Sequence, residues 1–316
     1  LLILLYVVKF FTHLVLLSII IFSDNLDCLN KQQPTQWLRD FTQLDSPDDA
    51  FLNWLTGFIE GDGSFPQSSR GALSFYLSQS IHNFPILLLI RMWLGFGKIR
   101  FQLSEGMVHY IIEDQPSLVQ LSLLLNGRFR TTAKHTTFNI LVTALNMRRH
   151  ISIPLLSLNK AMNYNWLAGF TDADGSFFIS IAKSSAMTLG YQVTVNISWT
   201  QKSREVLDLI QAAHGGSIVF NKVTLAYTLT IKAKSAVGTL LSIFATHTLL
   251  GVKRLDYRDA CKVYSLMISK QHLTPTGLAM IRVIYNGMNQ RRPIVRTMSF
   301  LNLYKQYIEV KDKAQP

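Results

Sequence analysis

Between Tyr191 and Gln201 apolar and hydrogen-bonding positions alternate: Tyr191, Val193, Val195, Ile197 and Trp199 against Gln192, Thr194, Asn196, Ser198 and Thr200. Side chains of a strand point alternately to its two faces, so this run predicts a β-strand with its apolar face on helices and an open, uncharged polar face. A helix from about Glu205 to Ala213 is expected next, after which Gly215-Gly216 turns the chain into strands over 217–222 and 226–232. The same order recurs less cleanly upstream. A strand over 72–80, an apolar helix over 85–94 and a hairpin over 98–104 and 108–112 surround Glu105-Gly106, with Lys98, Arg100 and Gln102 on one face against Ile99, Phe101 and Leu103. Thr274-Pro275, a capping hydroxyl and a first-turn proline, opens a helix to about Asn289, and residues 300–311 read as a weak helix. Hairpins and helices in this alternation make an α+β chain.

Ahead of each set of hairpins stands one block, WLTGFIEGDGSF over 54–65 and WLAGFTDADGSF over 166–177. A block repeated in this way predicts a duplicated domain whose copies each supply half of something. Gly57 and Gly169, beside the small Thr56 and Ala168, predict two helices packed closely on each other. Gly63 and Gly175 read as the usual glycine stops of those helices. Asp62 and Asp174 then sit at helix C-termini, where the macrodipole disfavours a carboxylate and the two acids repel each other. A hard divalent cation, Mg²⁺ first and Mn²⁺ as substitute, offsets both when held by the two carboxylates and the carbonyls of Gly61 and Ala173. Pro66 follows the first block inside an expected strand. It removes a ladder donor, so that strand is expected to be short, bulged or at an edge, and the first half to read less through it.

The stretches Leu55–Gly63 and Leu167–Gly175 resemble the signature helix of the LAGLIDADG homing endonucleases, of the single-chain kind with two motifs. The first copy departs at Glu60, where Asp is commoner, but the family's metal-binding acid is the later one, Asp62 and Asp174 here. The resemblance covers about residues 51–295. It implies two tandem αββαββα subdomains, 51–148 and 164–295, that form a pseudo-two-fold saddle over DNA with the paired helices beneath. Residues 23–50 and 149–163 are then linkers and 296–316 a C-terminal tail. It also implies that Gln79 and Gln201, each ending a second strand, lie near the cleavage centre. Lys134 and Lys253, each four residues before an aromatic, would join the solvent network around the scissile phosphate, with Arg128 or Arg130 as alternatives to Lys134.

Charge sharpens this reading. The first fifty residues carry 3 basic and 6 acidic groups and the remainder 28 and 13, so all the excess positive charge of the chain's net +12 lies on the repeat. That suits a surface facing a polyanion, although basic character alone fits nucleic acid or an anionic membrane equally. An uncharged row of amides and hydroxyls suits base edges in a major groove. The candidate DNA contacts are Lys98, Arg100, Gln102, Gln192, Thr194, Asn196, Ser198, Lys222, Thr228, Thr230 and Lys232. The two cysteines, Cys28 and Cys261, suggest neither a disulfide framework nor a zinc site, and Tyr257, Cys261 and Tyr264 read as core.

The expected activity is site-specific cleavage of double-stranded DNA by a monomer with internal pseudo-symmetry. Asp62 and Asp174 would hold Mg²⁺, no protein nucleophile would be needed, and Gln79, Gln201, Lys134 and Lys253 would position water or neutralise the leaving group. The alternative is a maturase of the same fold that binds its own intron RNA. A transcription regulator of this fold is disfavoured because both acids remain. Residues 1–22 are apolar apart from Lys9, Thr12, His13 and Ser18, long enough to cross a bilayer, without a basic start and with too few arginines for a typical transit peptide. They read either as a remnant of an upstream exon, since such reading frames often lie in organellar introns, or as a buried or disordered extension, and membrane contact stays open. The mitochondrion is the expected compartment and the chloroplast the alternative.

Overall fold

The computed structural model describes residues 48–292. The apolar segment 1–22, most of the linker 23–50 and the weak helix at 300–311 lie outside them. No helix among the described residues is long and apolar enough to cross a membrane.

The first half runs α1 (Asp49–Asp62), β1 (Gly63–Ser64), β2 (Phe75–Ser80), α2 (Phe84–Leu94), β3 (Lys98–Gln102), β4 (Met107–Ile112), α3 (Gln115–Leu125) and α4 (Thr132–Arg149). The second half runs α5 (Tyr164–Asp174), β5 (Gly175–Lys183), β6 (Tyr191–Gln201), α6 (Glu205–His214), β7 (Ser217–Asn221), β8 (Ala226–Ile231), α7 (Lys234–Thr246), α8 (Lys253–Ile268) and α9 (Pro275–Asn286). Each half holds one four-stranded antiparallel sheet, in the orders β1-β2-β4-β3 and β5-β6-β8-β7. The expected αββαββα order is present twice. The first half extends it by α4 and the second by α8 and α9; α9 is the helix expected from Thr274-Pro275, whereas α4 and α8 had not been separated by spacing alone.

The apolar rows go where the alternation places them. Val193, Val195, Ile197 and Trp199 of β6 are buried, and so are Leu229 and Ile231 of β8, the cross-strand partners of Trp199 and Ile197. The opposite face departs from expectation at its middle: Asn196 is 4 % and Ser198 8 % exposed, while Gln192 and Thr200 stand open. A central strand is walled by its neighbours, and here β5 sets Phe178 beside Asn196 while β8 sets Thr230 beside Ser198. Asn196 turns its amide to Thr194 Oγ1 at 3.1 Å, so a freely presented row is corrected to a row open at its ends.

Pro66 has the expected effect. β1 is two residues long and lies at the sheet's edge, where its counterpart β5 runs for nine.

The two motif helices pack through their glycines. A Cβ on Gly57 would lie 2.0 Å from the carbonyl oxygen of Trp166, and one on Gly169 1.8 Å from that of Trp54. Backbone meets backbone there, and only glycine leaves room. Gly63 and Gly175 act differently from the reading above. Gly175 is extended, with φ −77° and ψ 159°, and neither residue has positive φ. A side chain is excluded instead by the preceding turn, since a Cβ would meet Ile59 Cγ2 at 2.7 Å or Thr171 Cγ2 at 2.5 Å. Each glycine lets the chain leave its helix directly into a strand.

Candidate active site at the helix pair

Asp62 and Asp174 are the last residues of α1 and α5, and the close packing of these helices brings them together: a Cβ on Gly61 would fall 2.7 Å from Asp174 Oδ2. Each carboxylate is held by the strand that pairs with the one following its helix. Gln79 Nε2 donates to Asp62 Oδ2 at 2.6 Å, and Gln201 Nε2 to Asp174 Oδ2 at 2.5 Å. Desolvation raises both acids above their ordinary values. The neighbouring Asp62 charge pushes Asp174 further, to about 6, against the pull of Lys253 and the Gln201 bond.

The lysines complete the centre. Lys253, first residue of α8, donates to the carbonyl of Ala173, and Lys134 of α4 donates to that of Gly63. Burial lowers both ammonium groups, and the facing acids, Asp62 and Asp174 among them, partly restore their charge. The arginine alternatives are engaged elsewhere. Arg128 pairs with Asp49 at 2.6 Å, and Arg130 donates to the carbonyls of Arg128 and Ala161 and lies over the Trp166 ring.

The other acid of each motif has a separate task that sequence reading did not find. Glu60 is 7 % exposed and accepts from the Arg130 and Thr131 amides at 2.7 and 2.6 Å, from Thr131 Oγ1 at 2.9 Å, and from Trp166 Nε1. Asp172, 1 % exposed, accepts from the Leu250 and Gly251 amides at 2.6 and 3.0 Å and from Trp54 Nε1 at 3.1 Å. Each acid thus ties down the loop before its own half's lysine helix and grips the tryptophan of the other half's motif. Burial raises both, Asp172 to about 6. The repeated Trp and the repeated second acid were the available signal, but their crossing between copies is a tertiary fact.

The donor chemistry fits a hard divalent cation. Two desolvated, mutually repelling carboxylates side by side match an ion such as Mg²⁺, which takes one or two carboxylates and completes its shell with water and substrate phosphate. No cluster of three or more His, Cys, Asp or Glu side chains occurs among the described residues. The two flanking carbonyls are not equivalent, because that of Ala173 already accepts from Lys253.

Of the candidate DNA contacts, Lys98, Arg100, Gln192, Lys222 and Lys232 are exposed and Gln102, Thr194, Thr228 and Thr230 half-buried. Lys98 lies 3.7 Å from Glu113. The first sheet adds His109, unnoticed in the sequence. It faces Arg100 across the ladder, with Nδ1 2.9 Å from Ser78 Oγ and Nε2 3.0 Å from Gln102 Oε1. Tyr257 lines the second core, edge-on to Phe177 and Phe244, while Tyr264 bonds the Lys234 carbonyl at an exposed site and Cys261 is half-buried.

Comparison with known proteins agrees with this arrangement. The family model described as LAGLIDADG endonuclease matches residues 55–145 and again 167–264, so each match starts within one motif helix. A Neurospora crassa protein named probable intron-encoded endonuclease 4 is 30 % identical over 76 % of this chain, which covers 44 % of that protein. The Saccharomyces cerevisiae protein named intron-encoded RNA maturase bI4 is 25 % identical over 65 % of this chain and 31 % of its own length. Among solved structures, the LAGLIDADG meganuclease I-AabMI bound to uncleaved DNA is 29 % identical with a TM-score of 0.68, over 76 % of this chain and 99 % of that one. With both motif helices matched and two sheets arranged as in those saddle-shaped nucleases, this chain belongs to the LAGLIDADG endonuclease family.

Proposed function

We propose that the chain is a site-specific homing endonuclease that cuts both strands of a DNA duplex at the junction of α1 and α5. The observation that carries this is the convergence there of Asp62 and Asp174, each fixed by a glutamine and faced by a lysine. The two carboxylates, with the Gly61 carbonyl, would hold Mg²⁺, or Mn²⁺ in its place. Bound there, the cation would lower the pKa of a water and offset charge on the phosphate. The chain's own groups do the remaining work. Gln79 and Gln201 fix one oxygen of each carboxylate and so set its direction. Lys134 and Lys253, held against helix-end carbonyls, would turn to the scissile phosphates and neutralise the departing oxygens. Lys98, Arg100, Lys222 and Lys232 would meet phosphates and set register, while Gln192, Thr194, Thr228 and Thr230 would read base edges, with Asn196 and Ser198 in support.

The chain would act as a monomer, because its duplication supplies both halves of the centre. The intron-encoded relatives support an origin in an organellar intron, mitochondrial by preference. Incubating the protein and Mg²⁺ with the host gene lacking the intron tests this reading: cleavage at one locus at the insertion point is expected, and intact DNA at all protein concentrations would refute it. The likeness to the RNA maturase favours a second activity, assistance to splicing of the host intron. Splicing of intron RNA with and without added protein measures it.

A further inference from the structure

The two lysine helices are closed at their N-termini by side chains from both halves. Neither α4 nor α8 has a side-chain cap from its own N-cap residue, and the amides that lead into each take their acceptors from elsewhere in the fold. Three consecutive amides are served at the entry to each. Those of Arg130 and Thr131 donate to Glu60, and that of Thr132 to Glu205 Oε2 at 2.8 Å. Those of Leu250 and Gly251 donate to Asp172, and that of Val252 to Asn83 Oδ1 at 3.0 Å. Glu60 and Asp172 belong to the same half as the helix they serve. Glu205 and Asn83 come from the other half, and they occupy one place in the repeat, four residues after Gln79 and Gln201.

We infer that Asn83 and Glu205 are positioning residues through which each half sets the lysine of the other, so that the two strand cuts depend on contacts crossed between the halves. The inference rests on the nuclease reading above. In one direction the link is unbroken: Gln79 Nε2 donates to Asp62 Oδ2 at 2.6 Å, Asn83 Nδ2 to Gln79 Oε1 at 2.8 Å, and the Val252 amide to Asn83 Oδ1, with Lys253 the next residue. Its polarity is fixed at one end, because a backbone amide only donates. Asn83 must therefore offer its oxygen to Val252 and its NH₂ to Gln79, which leaves Gln79 its own NH₂ for the acid. Asn83 is 8 % exposed, so water does not readily replace it. In the other direction Glu205 also accepts from Thr132 Oγ1 at 2.7 Å, but the Gln201 side chain bonds only Asp174 among the described residues. The first half's acid is thus wired to the second half's lysine, and the reverse link is a clamp without a wire.

Amide hydrogen exchange and strand-resolved cleavage on the full chain test this together. In Asn83→Ala the Val252 amide should exchange about fivefold faster, and in Asn83→Asp, which keeps the acceptor, at the wild-type rate. In Glu205→Ala the Thr132 amide should behave as Val252 does. With a target duplex labelled on each strand, Asn83→Ala should slow by about tenfold the strand that Lys253→Met slows most, and Glu205→Ala the strand that Lys134→Met slows most. Unchanged exchange at both amides, or equal slowing of both strands, or the opposite pairing of strands, would overturn the inference. If Asn83→Ala does not fold, the more exposed Glu205 arm decides alone. If the wild type cuts no DNA the nuclease reading fails, and the exchange measurements still decide whether the cross-half caps exist.

Discussion

The two halves share one plan and differ where it touches the ladder and the lysine. Beyond the motif, the second half runs a nine-residue strand where the first, halted by Pro66, has two residues. Lys253 follows its anchored Leu250 amide by three positions and Lys134 follows Arg130 by four. The lysines accordingly reach different carbonyls, Ala173 in one half and Gly63 in the other, although Ala173 corresponds to Gly61 in the repeat. What stays equivalent is the set of contacts that fixes the acids: glutamine on aspartate, second acid on loop amides, and tryptophan on the opposite copy's second acid. The duplication tolerates change in the surface proposed to meet DNA and in lysine register, and keeps the groups that aim the carboxylates.

The largest effect should fall where the halves are most alike. Gly57→Ala and Gly169→Ala each drive a methyl into a backbone carbonyl that cannot retreat without parting the helices. Each should cost about 3 kcal/mol or more in denaturant unfolding, and by similar amounts. A mild effect of either would show that the helix pair adjusts. Next come the second acids. Glu60→Ala orphans four donors and Asp172→Ala three, so both should destabilise by about 3 kcal/mol, Glu60→Ala by roughly 1 kcal/mol more. Equal losses would mean that the Thr131 hydroxyl bond, which has no counterpart at Asp172, adds nothing.

A smaller difference concerns pH. Folding raises Asp174 from an ordinary carboxylate value to about 6, so in that window the folded chain binds more protons than the unfolded one. The contribution of Asp174 to stability without divalent cation is then fullest below pH 4 and is lost as pH rises through about 6. Asp174→Asn should flatten this fall and gain about 2 kcal/mol at pH 7, and Asp62→Asn should gain too, because desolvation raises both acids and their repulsion is mutual, so removing either charge relieves it. Melting curves in chelator from pH 4 to 7.5 check it, and a slope as steep as that of wild type in both variants would contradict it. The smallest effect is in DNA reading. Mismatches under Gln192, Thr194 and Thr228 should each cost about 1–3 kcal/mol of binding, and mismatches in the other half-site about 1 kcal/mol less. An even spread over the two half-sites would show that His109, Arg100 and Gln102 read bases as fully.

Much of this was legible in the sequence because repetition exposes it. The twin blocks gave the helix pair and both aspartates, Pro66 gave the short β1, and matching places in the repeat together with the family resemblance singled out Gln79, Gln201, Lys134 and Lys253. What stayed hidden depends on partners distant in sequence. Glu60 looked like a variant spelling of aspartate until its bonds to Trp166, Arg130 and Thr131 were seen. Asn83 and Glu205 share no chemistry that an eye scanning for repeats would match, since one is a neutral amide and the other a carboxylate. Strand alternation correctly assigned faces in β6, yet period two says nothing of how neighbouring strands wall in Asn196 and Ser198. The glycine stops were placed correctly but explained wrongly, because φ at a helix end cannot be read from its residue type.

The central claim is that Asp62 and Asp174 together make one cutting centre on a surface that binds DNA independently of them. Cleavage and binding of the same target duplex by wild type, Asp62→Asn and Asp174→Asn, with Mg²⁺ for cutting and Ca²⁺ for binding, test it most directly. The account predicts that either variant loses double-strand cleavage while target affinity stays within about threefold of wild type, because each change removes a charge from the centre and no groove contact. Double-strand cleavage by Asp174→Asn at near the wild-type rate would contradict it.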